Sequence, residues 1–203
     1  MKLDELILEA GANLPIAKKN DIKTSDQLAN DSQQMKLGTF GALVPSTKCQ
    51  QKLTFFMQDN NIKNPVLPED MHCTLLQSTK YVPGYSAETS LARPIFANNL
   101  KCAIFDKRDA EGGKRQVLVV TFNCPEIIQR RERVIRDAGD NYKEAATRNT
   151  YIPHITLSYD AGTDPLDVDM LTYKLSEYLD LLLFDSEYEE PLDLDRTPSN
   201  LPQ

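Results

Sequence analysis

Hydrophobic positions recur with two different periods along this chain, and the switches between them predict its elements. Residues 38–44, Gly-Thr-Phe-Gly-Ala-Leu-Val, read as a first strand. Ser46 then opens a helix whose Leu53, Phe56, Met57 and Asn60 mark one face at helical spacing, and Asn60-Asn61 ends it. After a loop over 63–68, residues 71–77 read as a strand, followed by a Pro/Gly/Tyr loop through Gly84. Residues 95–106 and 115–123 flank the turn-prone 109–113 and predict a hairpin. A helix over 125–138 starts on Pro125 and stops at Gly139. Its Ile127, Ile128, Val134, Ile135 and Ala138 are expected to face inward, and its Arg130, Arg131, Glu132 and Arg136 to face water. A strand over 151–159, a helix over 167–179 and a last strand over 181–188 complete the series. Two strand–helix–strand groups, one on each side of the hairpin, predict an α+β protein of two related lobes.

The ends read differently. Residues 1–36 form an appendage: a short helix over 4–10 crowding Leu6, Ile7 and Leu8, then a polar, linker-like stretch over 18–34. This extension is expected to be partly disordered, with the folded domain over 37–196 and a loose tail over 197–203. No apolar run approaches the roughly 18 residues that span a bilayer, so no membrane protein is expected. Acids interrupt the apolar start of the chain, which argues against a secretory signal and for a cytoplasmic protein.

Charge narrows the partners. Thirty acids against 23 bases give 203 residues a net charge of −7. Six of the acids and one Arg fall in residues 185–203, leaving 24 acids and 22 bases in the rest. With no basic excess, a protein that coats long nucleic acid by counterion release is excluded, while a small anionic ligand in a local pocket is not. Cys49, Cys73, Cys102 and Cys124 form no CxxC pair, and the two histidines lie 82 positions apart. No metal site is expected, and the thiols are expected reduced.

Both histidines sit in one tetrapeptide frame, His72-Cys73-Thr74-Leu75 and His154-Ile155-Thr156-Leu157. With 14 Thr in the chain, chance puts Thr two places after both about once in two hundred. In a strand, residues i and i+2 share a face, so each His projects with its Thr while Cys73, Leu75, Ile155 and Leu157 point into the lobe. Two such strands across a cleft would gather two imidazoles and two hydroxyls around one point. That set suits a phosphodiester. A neutral imidazole accepts the proton of an attacking hydroxyl, a protonated one supplies the departing oxygen, and the Thr hydroxyls bond the non-bridging oxygens. The arrangement requires neither metal nor cofactor. The alternative is that each histidine only satisfies local hydrogen bonds.

Paired H-x-[ST] motifs are the signature of the two-histidine phosphoesterase superfamily, a bilobal, pseudo-symmetric α+β fold with a central cleft between two small sheets flanked by helices. Asn64-Pro65-Val66, Lys80-Tyr81-Val82-Pro83-Gly84-Tyr85, Pro153 through Asp160 and Glu187 through Asp195 bring the resemblance closer, to the tailed-phage anti-CBASS phosphodiesterases. It runs from about Phe40 to Asp195. The resemblance implies His72 and His154 as the acid/base pair and Thr74 and Thr156 as phosphate-oxygen donors. It implies cyclic di- and trinucleotides such as 3′3′-cGAMP as substrates, cleaved without metal in the host cytoplasm with a ribose 2′-hydroxyl as nucleophile. It further places Glu187 where a carboxylate pairs with a base edge or orients an imidazole, against one more acid in an acidic tail. Phe40, Phe105 and Tyr151 are implied as aromatic contacts to the bases, in a chain without Trp; core packing is the alternative for the two Phe, and packing at the strand start for Tyr151. Two other readings stand beside it: an RNA-end enzyme acting on 2′,3′-cyclic phosphates, and a protein that sequesters the nucleotide without cutting it. No protein partner is inferred.

Overall fold

The computed structural model describes residues 38–108, 114–145 and 150–192. The extension 1–36, the hairpin turn 109–113 and the tail 197–203 lie outside the described residues. Six strands, β1 (Gly38–Pro45), β2 (Cys73–Ser78), β3 (Ile95–Arg108), β4 (Lys114–Asn123), β5 (His154–Ser158) and β6 (Leu182–Leu192), are ordered β2-β1-β6-β3-β4-β5. Every pairing is antiparallel. Three helices join them: α1 (Thr47–Asp59), α2 (Pro125–Ala138) and α3 (Val168–Tyr178).

Local chemistry sets the helix ends. Ser46 Oγ accepts from Cys49 N at 3.4 Å and Asp167 Oδ1 from Met170 N at 2.9 Å, each satisfying an amide the first turn leaves unpaired. Gly139, at φ +51°, ends α2 in a backbone region that other residues enter at a cost. α1 buries Cys49, Leu53, Phe56 and Met57, and α3 buries Leu171 and Leu175, all in one core with Leu43, Ile155, Leu157 and Phe184.

The strand order is its own mirror: β2-β1-β6 is matched by β5-β4-β3, and the halves join within the sheet where Ile95, Phe96 and Ala97 pair with β6. Each half also closes the other's outer edge. Beyond α1, Pro65 bridges Ser158 and Val66 N donates to Leu157 O at 2.8 Å; beyond α2, Glu144 bridges Ser78 and Ala145 N donates to Gln77 O at 2.9 Å. Both motif strands are bulged at the same place. Opposite Gly41/Ala42 the register jumps from Leu76 to Thr74, and opposite Leu118/Val119 from Ser158 to Thr156. The residue passed over is Leu75 in one and Leu157 in the other, both fully buried. The matching leucines are therefore core anchors of paired β-bulges, which turn each strand just past its His-x-Thr.

Three expectations are corrected. The strand expected from 151 begins at His154, since Pro153 offers no N–H to a ladder. The last strand runs on through Pro191 and Leu192, paired with β1 as far as Gly38. Pro is tolerated there because β3 pairs only with the far end of β6, and among the described residues no second ladder runs beside Pro191. Arg130 and Arg131 are not solvated: their side chains are 24% and 11% exposed and both point into the fold.

Gly41 is required by a close approach. A Cβ built on it would stand 2.4 Å from Tyr85 Oη, whose hydroxyl is buried without a hydrogen-bond partner among the described residues. Gly41→Ala should therefore lower unfolding free energy by about 1–3 kcal/mol, as overpacking does. Tyr85→Phe, which removes a buried unpaired hydroxyl, should equal or exceed wild type. Urea unfolding of both variants checks the pair.

Candidate active site

The strand registers decide which side chains share a face. Thr74 pairs with Ala42 and Ala42 with Tyr188, while Phe40 pairs with Glu190, so Thr74, Tyr188, Phe40 and Glu190 lie on one face of the first half. In the second half, His154 opposite Thr121 and Thr156 opposite Val119 share a face with Ala103 and Phe105. His72, inside the strand predicted over 71–77, stands immediately before the observed β2, which begins at Cys73.

Both imidazoles are fixed in the same way. His72 Nδ1 lies 2.8 Å from the Asp70 carbonyl and His154 Nδ1 lies 2.7 Å from the Ile152 carbonyl, two residues back in each case. A carbonyl only accepts, so Nδ1 carries the proton in both, and the neutral ring holds its lone pair on Nε2. Each ring also meets an aromatic edge-on: Phe40 at 5.5 Å from His72, and Phe105 at 4.9 Å from His154. Tyr188 joins the first group, 6.1 Å from His72 and 5.9 Å from Phe40. Both histidines, both threonines and these three aromatics are half-buried, positioned by the core yet open on one side.

Burial holds the His72 imidazolium below the ordinary histidine range, against the opposing pull of the Asp70 carbonyl and the carboxylates of Glu190 and Asp70. Burial pushes the Tyr159 hydroxyl up, against the pull of Thr156 and with the help of the Asp70 carboxylate. Burial likewise raises Tyr188, reinforced by Glu190, Tyr159 and Asp70. The motifs also adjoin at the backbone, for the Cys73 thiol, pushed up to about 12 by burial, accepts from the His154 main-chain N–H.

Of the residues singled out from sequence, Phe40 and Phe105 stand beside the histidines. Glu187 and Tyr151 are placed otherwise. Glu187 pairs with Leu43 on the opposite face, is 2% exposed, and is bound through both oxygens by the Arg130 guanidinium, with Glu88 N donating to Oε2 at 3.2 Å. Its carboxylate is thereby committed to a structural ion pair. Tyr151 donates its hydroxyl to the Thr74 carbonyl at 2.7 Å, so its polar end is committed to the backbone of the first motif. Tyr188, Glu190 and Tyr159 went unassigned in the sequence. β6 alternation was the available signal, but a register shift between Ser186 and Phe184 reverses its parity, so reading outward from Leu182 and Phe184 mis-assigns the faces.

Among the described residues, no group of three or more His, Cys, Asp or Glu side chains is placed to hold a metal ion, and no helix is long and apolar enough to cross a membrane.

Comparison with known proteins places this chain in a lineage. Two solved structures, TT0787 of Thermus thermophilus (18% identity, TM-score 0.43, covering 75% of this chain and 84% of that one) and E. coli LigT complexed with ATP (13%, 0.45, 79% and 89%), are remote likenesses. The anti-CBASS protein Acb1 of Vibrio phage KVP40 is 26% identical over 164 residues, 80% of this chain and 93% of its own length. That of Yersinia phage phiR1-RT is 27% identical over 143 residues, 70% and 80%. The family described as anti-CBASS protein Acb1 matches residues 38–199, a span that takes in both His-x-Thr motifs and all six strands. With that span covered from the first strand to beyond the last, the chain belongs to the anti-CBASS protein Acb1 family.

Proposed function

We propose that this protein is a metal-independent phosphodiesterase that opens cyclic di- and trinucleotide messengers such as 3′3′-cGAMP, and so silences CBASS signalling. The observation that carries the reading is the equivalent tethering of the two imidazoles through Nδ1, on motifs that adjoin through Cys73 and His154. In the reaction, His72 is the base. Kept neutral near pH 7 by burial, its Nε2 takes the proton of a ribose 2′-hydroxyl while that oxygen bonds to phosphorus. The bond from phosphorus to the 5′-oxygen breaks, and protonated His154 supplies that oxygen with a proton. The step is balanced without water, and the first linear product carries a 2′,3′-cyclic phosphate. Thr74 and Thr156 donate to the non-bridging oxygens as charge gathers there. Phe40, Tyr188 and Phe105 present ring surface to the bases, where stacking contributes about 1–3 kcal/mol per base. Membership of the anti-CBASS family supports the choice of messenger over RNA ends.

The test is incubation of the purified protein with 3′3′-cGAMP and with a cyclic trinucleotide in excess EDTA, followed by chromatography. Linear products are expected. Nucleotides that remain intact would sink the reading, and calorimetric titration would then establish whether they are held without being cut.

A further inference from the structure

β2 and β5, the two motif strands, stand at opposite ends of the strand order, and among the described residues no ladder joins one to the other. Side chains link the two. Tyr151, three residues before His154, donates its hydroxyl to the Thr74 carbonyl at 2.7 Å. The same hydroxyl lies 3.7 Å from Cys73 Sγ, the atom that accepts from the His154 main-chain N–H. Behind the ring, the Arg131 guanidinium stacks at 4.6 Å from its centroid and donates to the Leu75 carbonyl at 3.0 Å. Tyr142 and Glu144, on the segment that closes the β2 edge, hold that guanidinium in turn. Cys73, Thr74 and Leu75 are thus each touched by a group from the other half of the molecule. The equivalent position in the first half, three residues before His72, is Glu69, which is exposed.

We propose that Tyr151, braced by Arg131, is a positioning residue that fixes the first His-x-Thr strand against the start of the second and so sets the spacing of the two imidazoles. The inference deepens the phosphodiesterase reading and rests on it for its effect on rate. The hydroxyl is one hydrogen bond among many in the fold, yet it acts on a backbone atom inside the motif. A phenyl ring would still fill the space and keep the Arg131 stack, so the fold would persist while the strand loosened. Displacing a reacting group by about 1 Å costs on the order of a hundredfold in rate.

Tyr151→Phe is expected to lower kcat for 3′3′-cGAMP about 10- to 100-fold with KM changed less than about threefold. Arg131→Met should do the same, and the double variant should lose little more than the worse single, because the two act through one contact. Arg131→Lys should not rescue, since an ammonium lacks the planar fork that stacks and donates together. A kcat for Tyr151→Phe within about twofold of wild type, or losses that multiply in the double variant, would overturn the proposal. Amide hydrogen exchange supplies a readout that needs no turnover. Exchange at residues 74–76 should quicken at least about tenfold in Tyr151→Phe while Val119 and Val120 stay as in wild type. Unchanged exchange at 74–76 overturns the positioning role whatever the nucleotide assay gives. A wild-type protein that cuts no cyclic nucleotide would overturn the proposed function, and the exchange would still decide the role of Tyr151.

Discussion

His72→Ala is expected to lower turnover of cyclic dinucleotide by about 10²- to 10⁴-fold, and His154→Ala by a similar factor, with binding of the nucleotide largely kept. A positioned general acid or base contributes on that scale, while affinity resides mainly in the aromatic and hydroxyl contacts around the rings. His72→Ala also removes a ring that packs edge-on to Phe40 and Tyr188, so a drop in affinity of a few-fold is expected as well. The pH dependence follows from direction alone. His72 works as a base only when neutral, so kcat/KM rises as pH climbs through its pKa. Burial holds that pKa below the ordinary histidine value, which puts the acid limb of the profile below about 6.5. The groups facing His72 are Asp70 and Glu190, both of which favour the imidazolium, with Phe40 and Tyr188 against the ring. Glu190→Gln removes one of these carboxylates and should move the acid limb to still lower pH. Stopped-time assays from pH 4.5 to 8 measure it, and an acid limb above 6.5, or a shift upward in Glu190→Gln, would refute the assignment of His72 as the base.

The largest effect on stability is expected from Arg130→Ala. Glu187 has a side chain with no exposure, and Arg130 binds it through Nε and Nη2 while also reaching Glu88 at 2.8 Å. Glu187 pairs across to Leu43 in the core of the first half, so truncating the arginine strands a carboxylate where water does not reach. Removing one partner of a buried pair costs about 3–5 kcal/mol, and since Arg130 is itself a quarter exposed the lower end, about 3, is expected. At roughly 2–4 °C per kcal/mol for a domain of this size, Tm should fall by about 6–12 °C. The double variant Arg130→Met/Glu187→Leu should recover much of the loss, because two apolar side chains leave no charge to desolvate. Turnover per folded molecule in that double variant should stay within a few-fold of wild type, because Glu187 lies on the face of the sheet away from Thr74 and Phe40. A large selective loss of kcat with Tm unchanged would instead put the Glu187 carboxylate in contact with substrate.

The sequence by itself determined most of the elements and the pairing of the two motifs. Ser46, Pro125 and Gly139 punctuate the helices through hydrogen bonds and backbone angles that depend on a few adjacent residues, so those ends were legible to the residue. The two His-x-Thr frames were legible because the two histidines of the chain repeat one tetrapeptide pattern, while the equally local tethers from Nδ1 to the carbonyl two residues back emerged with the structure. The repeated leucine was visible too, although only the strand registers show why it is repeated, as the bulge that anchors each motif in the core. What only the tertiary structure decided depends on contacts between residues far apart in the chain. The bulge in β6 between Phe184 and Ser186 reverses which residues face the core, and it is set by pairing with Val44 and Pro45, about 140 positions away. That one shift sends Glu187 under the sheet to Arg130 and brings Tyr188 and Glu190 up beside His72. In the same way, an arginine-rich helix face looks solvated to any periodicity argument, because burial of Arg130 and Arg131 depends on a carboxylate and a backbone carbonyl supplied by distant strands. Local hydrogen bonds fixed the two halves of the site; long-range register fixed what surrounds them and how far apart they stand.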